Sequence, residues 1–154
     1  MTVIIRNVAP EDHDAWAAAY RGYREFYREP QDETKIDLVW GWLHDADQEV
    51  RGLVAELDGR VVGIAHYRTF ARPLAGGTGL YLDDLFTQPE ARGHGVGSAL
   101  IKRLEEIALE EGASVVRWIT MSDNATARSV YDRVATATQH VTYDLKPGAG
   151  SGEA

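Results

Sequence analysis

The 154-residue chain has the length of one ordinary domain, and its 16 basic against 24 acidic residues give a net charge of −8, which repels nucleic-acid phosphates and anionic lipid and favours a cationic partner. The absence of cysteine excludes disulfides, thiolate catalysis and cysteine-based zinc sites. The five histidines, at 13, 44, 66, 94 and 140, form no i, i+4 pair, so no metal site is expected.

In chain order, the β-branched run TVIIRNV predicts a strand. With no signal-peptide core there and no membrane span later, a cytoplasmic protein is expected. Pro10 and the acids after it suit a helix N-terminus, and the helix over 10–28 carries Trp16, Tyr20, Tyr23 and Tyr27 on one face of a 3.6-residue period. That stripe is either core packing or one wall of a pocket for a cationic ligand. A second helix is predicted over 34–43. Residues 51–70 read as two apolar strands joined by Asp58-Gly59, a dipeptide that accepts positive φ in a tight hairpin. LAGGTG is a loop and LYLDDLFT a third strand beside the hairpin. The helix over 95–112 buries Val96, Leu100, Leu104 and Ile107 and ends at Gly112. ASVVRWIT then reads as a buried strand, SDNATARSVYDRV as a helix and QHVTYDL as a final strand. The order predicts an α/β (α+β) sandwich with a mixed sheet, one domain over 1–146 and a disordered tail over 147–154.

The stretch RGHGVGSALIKRL strips side chains from the start of a helix. Free amide N–H groups and the helix dipole attract anions there, glycine lets an anion approach, and no acid occurs before Glu105 while Arg92 and His94 stand at the opening. A tight structural turn would use the same glycines. The dinucleotide fingerprint fails because Ser98 takes the place of its third glycine, and the P-loop fails because Gly-Lys-Ser/Thr is missing.

RGHGVG fits R/Q-x-x-G-x-G/A, and NATARSVY places Asn124, Ala127 and Tyr131 in N-x-x-A-x-x-x-Y, some thirty residues later with one strand between. On these motifs the chain resembles the GNAT superfamily of acetyl-CoA-dependent N-acetyltransferases. YLDDLFTQPEARGHGVGS is similar to spermidine/spermine-type and related small-amine acetyltransferases, which have YLED before the same loop; Asp83 stands in place of the glutamate. The usual G-F after the tyrosine helix is replaced by DRVATAT, which puts the turn there in question.

The resemblance implies a mostly antiparallel central sheet with helices on both faces, acetyl-CoA as co-substrate and, as is common in the superfamily, a homodimer. It implies that Leu85, Phe86 and Thr87 offer backbone groups to the pantetheine arm, that the loop Arg92, Gly93, His94, Gly95, Val96, Gly97 and Ser98 holds the pyrophosphate, and that Asn124 reaches the middle of the cofactor. Tyr131 would protonate the leaving thiolate, since a phenol pKa of about 10 lies near a thiol's of about 8.5. Asp83 and Asp84 are strand neighbours whose side chains alternate between faces, so only one is expected to face the cleft. Asp83 is the candidate for a water-relayed base. Asp84, with Tyr23 and Tyr27, is the candidate for binding the amine; a salt bridge at a strand end is the alternative for either carboxylate. The expected reaction is acetylation of a small cationic amine or polyamine by direct attack. Acetylation of protein lysine or N-terminal amines, and non-catalytic acyl-CoA binding, are the alternatives.

Overall fold

Asp58 and Gly59 take left-handed φ values of 53° and 79°, the conformation that lets a two-residue turn follow the twist of its strands, and β2 (Arg51–Leu57) folds back on β3 (Arg60–Arg72) as the sequence predicts. The computed structural model describes residues 2–148. Its contacts divide the chain into two compact units, Met1–Ile119 and the segment that begins at Thr120.

In the first unit, β1 (Val3–Asn7) pairs antiparallel with β2, and β3 pairs antiparallel with β4 (Gly77–Thr87). A short β5 (Val116–Arg117) adds in parallel to β4, giving the order β1-β2-β3-β4-β5. The segment 113–120 is thus a two-residue edge strand with partly exposed side chains rather than the expected buried strand. An outer position, covered on one side only, explains the difference. The sheet carries one extra residue on β3 and one on β4. Ala55 faces Gly63 while Glu56 faces Val61, leaving Val62 over; His66 faces Asp84 while Tyr67 faces Leu82, leaving Asp83 over.

Helices cover both faces. Trp16, Ala17 and Ala19 of α1 (His13–Phe26) and Ile36 of α2 (Glu33–Leu43) pack with Val54, Ile64 and Phe86. On the other face, α3 (Val96–Glu111) sets Val96 over Gly63, where a β-carbon would come within 2.7 Å of the valine side chain. Each large apolar side chain buried in these layers contributes on the order of 1.5–3 kcal/mol.

Arg6 fastens β1 to the start of α1 and to β2. Its Nη1 and Nη2 donate to Asp12 at 2.7 and 2.9 Å, and Nη2 also reaches Glu56 at 2.8 Å. The Asp12 carboxylate further accepts the Ala9 N–H at 2.7 Å.

In the second unit, α4 (Ala125–Val134) is capped by Asn124, whose Oδ1 accepts the Ala127 N–H at 3.2 Å. The helix stops at Ala135 in extended conformation rather than at a left-handed residue, as befits the missing glycine. The expected final strand over 139–145 is not formed: Val141, Tyr143 and Leu145 alternate as a strand's apolar face would, yet are 74, 90 and 78% exposed. Alternation is a local property, whereas a strand needs a hydrogen-bonding neighbour, and none pairs with this segment among the described residues. Residues 147–148 form a turn, and the rest of the expected tail lies outside the described residues.

Hydrogen bonding by Arg6 outweighs partial burial and holds the Asp12 carboxyl below its ordinary value. A lowered native value stabilises the fold fully above the unfolded pKa of about 4, and that contribution is lost as pH falls through the native value. Asp12→Asn should therefore cost about 1–3 kcal/mol near neutral pH. Urea unfolding of both proteins should show the gap closing as pH drops below about 4.

Candidate active site

The pairing of β4 with β5 ends at Leu80↔Val116 and Tyr81↔Arg117. Beyond Tyr81, that edge of β4 has no strand partner among the described residues. The Gln88 N–H donates to the Val62 carbonyl at 2.8 Å, toward β3, so backbone alternation turns Phe86 to β3 and Leu85 and Thr87 to the open edge. Arg92 Nε takes the Thr87 carbonyl at 3.2 Å, and its guanidinium lies over the Phe86 ring at 5.5 Å. Of the three residues expected to offer backbone groups to a cofactor, Leu85 and Thr87 turn theirs to the open edge, while Phe86 turns its own to β3 and sets its ring against Arg92.

The loop that follows turns on Gly93 and Gly95, with φ of 84° and 76°. Gly95 is the N-cap of α3; no side chain caps that helix, and its first turn holds no acid. The first bond down the helix runs from the Ala99 N–H to the Gly95 carbonyl at 3.0 Å, so the amides of Val96, Gly97 and Ser98 precede the helical ladder. A β-carbon at Gly93, Gly95 or Gly97 would meet nothing within 4 Å. Open space, free donors and the positive end of a sixteen-residue helix fit a pyrophosphate.

On the α1 side of β4 the extra residue changes the expected geometry. Strict alternation would send Asp83 and Asp84 to opposite faces; with Asp83 bulged out of register, both carboxylates line one cavity of about 250 Å³. Tyr20, Trp42, Glu49, His66 and Arg68 share it. Asp84 is the more enclosed acid. Its Oδ2 lies 2.7 Å from His66 Nδ1 and accepts the Tyr20 hydroxyl at 3.3 Å. His66 is 1% exposed, and its Nε2 stands 2.9 Å from the Trp16 indole nitrogen. An indole N–H can only donate, so Nε2 accepts and the ring proton sits on Nδ1, directed at Asp84.

The two acids titrate in opposite directions. Burial alone would raise Asp84, but the hydrogen bonds from His66, Tyr23 and Tyr20 outweigh it and hold the carboxyl below its ordinary value. Burial raises Asp83, and the opposing Arg68, whose Nε donates at 3.1 Å, does not cancel it. Burial, with the Asp84 charge behind it, also pushes the Tyr20 and Tyr23 phenols up.

Of the rings expected at the acceptor site, Tyr23 reaches Asp84 and packs edge-on to Phe86, while Tyr27 caps the end of α1, lies tilted against Tyr23 with 4.8 Å between centroids and is 43% exposed. Tyr20 and Trp42 line the cavity in their stead. Sequence reasoning passed over His66, Arg68 and Trp42. A polar pair at i, i+2 within the otherwise apolar GIAHYRTF was the available signal for the first two. Asn124 and Tyr131 belong to the second unit, on the cap and the body of α4.

A sheet edge left open beyond Tyr81 of β4, a helix N-terminus with no capping side chain and no acid, and two carboxylates on the same strand are compatible with group transfer from a phosphate-bearing donor. The chain belongs to the acetyltransferase (GNAT) family, which it matches over residues 16–135. It is an acetyl-CoA-dependent N-acetyltransferase. It is 27% identical over 143 residues to a D-amino-acid N-acetyltransferase of Saccharomyces cerevisiae, covering 92% of this chain and 89% of that one. A thialysine N-epsilon-acetyltransferase of Bos taurus is 40% identical over 55 residues, 36% of this chain and 32% of its own. The fold matches a ribosomal-protein-alanine N-acetyltransferase from Brucella melitensis with a TM-score of 0.79 at 21% identity, over 95% of this chain and 99% of the other. Among the described residues no group of ligands could hold a metal and no helix is long and apolar enough to cross a membrane.

Gly97 lies inside the helix, where alanine fits the backbone and improves helix propensity by about 1 kcal/mol. Gly97→Ala should therefore keep or raise the melting temperature while weakening acetyl-CoA binding, measured by calorimetry, because the added methyl occupies the anion's approach.

Proposed function

We propose that the protein transfers acetyl from acetyl-CoA to the primary amine of a small cationic acceptor, polyamines included. The observation that carries this reading is the pair Asp83 and Asp84, two carboxylates in one cavity whose environments drive their proton affinities apart. Asp84, kept ionised, attracts an ammonium group. Asp83, raised, is the better base and removes the ammonium proton through a water. The free amine then attacks the thioester carbonyl carbon, the C–S bond breaks, and Tyr131 gives its proton to the departing thiolate.

On the donor side, the amides from Gly93 to Ser98 bind the pyrophosphate, with Arg92 and His94 adding positive charge at the opening. The peptide groups of Leu85 and Thr87 face the pantetheine arm and the thioester oxygen, where a donor stabilises the developing oxyanion. Asn124, already capping α4 through Oδ1, keeps its amide NH₂ for the cofactor. Tyr23 helps to hold Asp84, and Tyr27 acts only indirectly, by packing against Tyr23. Similarity to relatives named for acetylating D-amino acids and the ε-nitrogen of thialysine supports a small amine acceptor. A cytoplasmic homodimer completes the reading.

A thiol-release screen of amines with acetyl-CoA tests the acceptor class. Because an amine of pKa about 10 arrives protonated, turnover should rise with pH into the mildly alkaline range. Asp83→Asn should lower turnover, and Asp83→Glu should retain more of it than asparagine does. Turnover confined to neutral or anionic acceptors and untouched by Asp83→Asn would sink the assignment, and turnover confined to peptide N-termini or protein lysines would move it to the other acceptor class.

Tyr131→Phe should reduce kcat by roughly 10²- to 10⁴-fold with little change in acetyl-CoA affinity, as expected when a general acid is lost. An unchanged kcat would leave Tyr131 a packing residue.

A further inference from the structure

We propose that Arg68 selects an acceptor bearing a carboxylate as well as its amines, so that the preferred substrates are basic amino acids rather than diamines; this rests on the acetyl-transfer reading above. Charged groups on the cavity wall are not all of one sign. Asp83, Asp84 and Glu49 attract ammonium groups, and among the described residues that line the cavity Arg68 is the one guanidinium. His66 cannot share that task, because Trp16 and Asp84 occupy both its ring nitrogens.

The guanidinium is held with one edge free. Its Nε donates to the two Asp83 oxygens at 3.3 and 3.1 Å, and its plane rests on the Tyr81 ring with 4.8 Å from Cζ to the centroid. Neither Nη1 nor Nη2 makes a hydrogen bond among the described residues. Two parallel N–H donors in a fixed plane match the two oxygens of a carboxylate; a phosphate uses the same fork, but its greater negative charge suits a cavity with three acids less well. With three acids against one arginine, the cavity suits a molecule of one carboxylate and two ammonium groups. A diamine would satisfy the acids and leave the fork to water.

The test compares kcat/KM for lysine of either hand, lysinamide and 1,5-diaminopentane by thiol release at saturating acetyl-CoA. The three differ in the presence and charge of one group. The wild-type protein should prefer lysine over both others by about tenfold or more, the range of a charge-assisted hydrogen-bonded contact. Arg68→Gln should lower the value for lysine by a similar factor and bring the three toward parity, and Arg68→Lys, which keeps the charge without the fork, should fall between. Removing the guanidinium also alters Asp83, which changes all three acceptors together, so the ratio between acceptors is the readout. The proposal is overturned by a wild-type preference for the diamine, by an equal fall for all three acceptors in Arg68→Gln, or by turnover of other amines with none of these. Absence of thiol release with any amine overturns the acetyl-transfer reading as well.

Discussion

The indole N–H of Trp16, 2.9 Å from His66 Nε2 inside a sealed core, is the constraint on which the carboxylate cavity beside β4 depends. Because indole can only donate, it leaves the imidazole one arrangement: lone pair toward α1, proton toward Asp84. The opposite tautomer would set two donors against each other at Trp16 and a lone pair against a carboxylate at Asp84. Three elements are tied by this chain of two bonds, α1 through the indole, β3 through the ring and β4 through the carboxylate. The result is an acid that stays ionised although it is mostly buried, because a hydrogen bond supplied from the core replaces the water it has lost.

Asp83, its neighbour in sequence, lies outside that network and meets only an arginine at the cavity edge. Burial therefore acts on it with less opposition, and its proton affinity rises. Two identical side chains thus differ in proton affinity through their surroundings. Adjacency on a regular strand would have separated them by the thickness of the sheet; the extra residue in β4 lets them work in one cavity.

The donor side follows a different rule. A protein of net charge −8 should repel a pyrophosphate, yet the start of α3 holds no acid in its first turn, no capping side chain, two glycines before it and a third in its first turn. Short-range geometry outweighs long-range charge here, since amide dipoles act on contact while the net charge is screened over about 8–10 Å of salt solution. Glu49, Asp83 and Asp84 line the cavity on the α1 side instead.

The local features were legible from the residues. Asp58-Gly59 fixes a hairpin because its backbone can take positive φ, the glycines before α3 make the turn into that helix for the same reason, and the aromatic period of α1 marks its inner face. Each depends on residues a few positions apart. The bulge at Asp83, the reduction of β5 to two residues and the unpaired run over 139–145 depend on what lies alongside, which no local pattern encodes. The sequence by itself determined the two motifs, the charge balance and the helix that follows the glycine loop. Only the tertiary structure decided that His66, fifty residues from Trp16 and eighteen from Asp84, would help to keep that carboxylate ionised, because a hydrogen bond between distant residues exists only once the sheet has brought them within 3 Å.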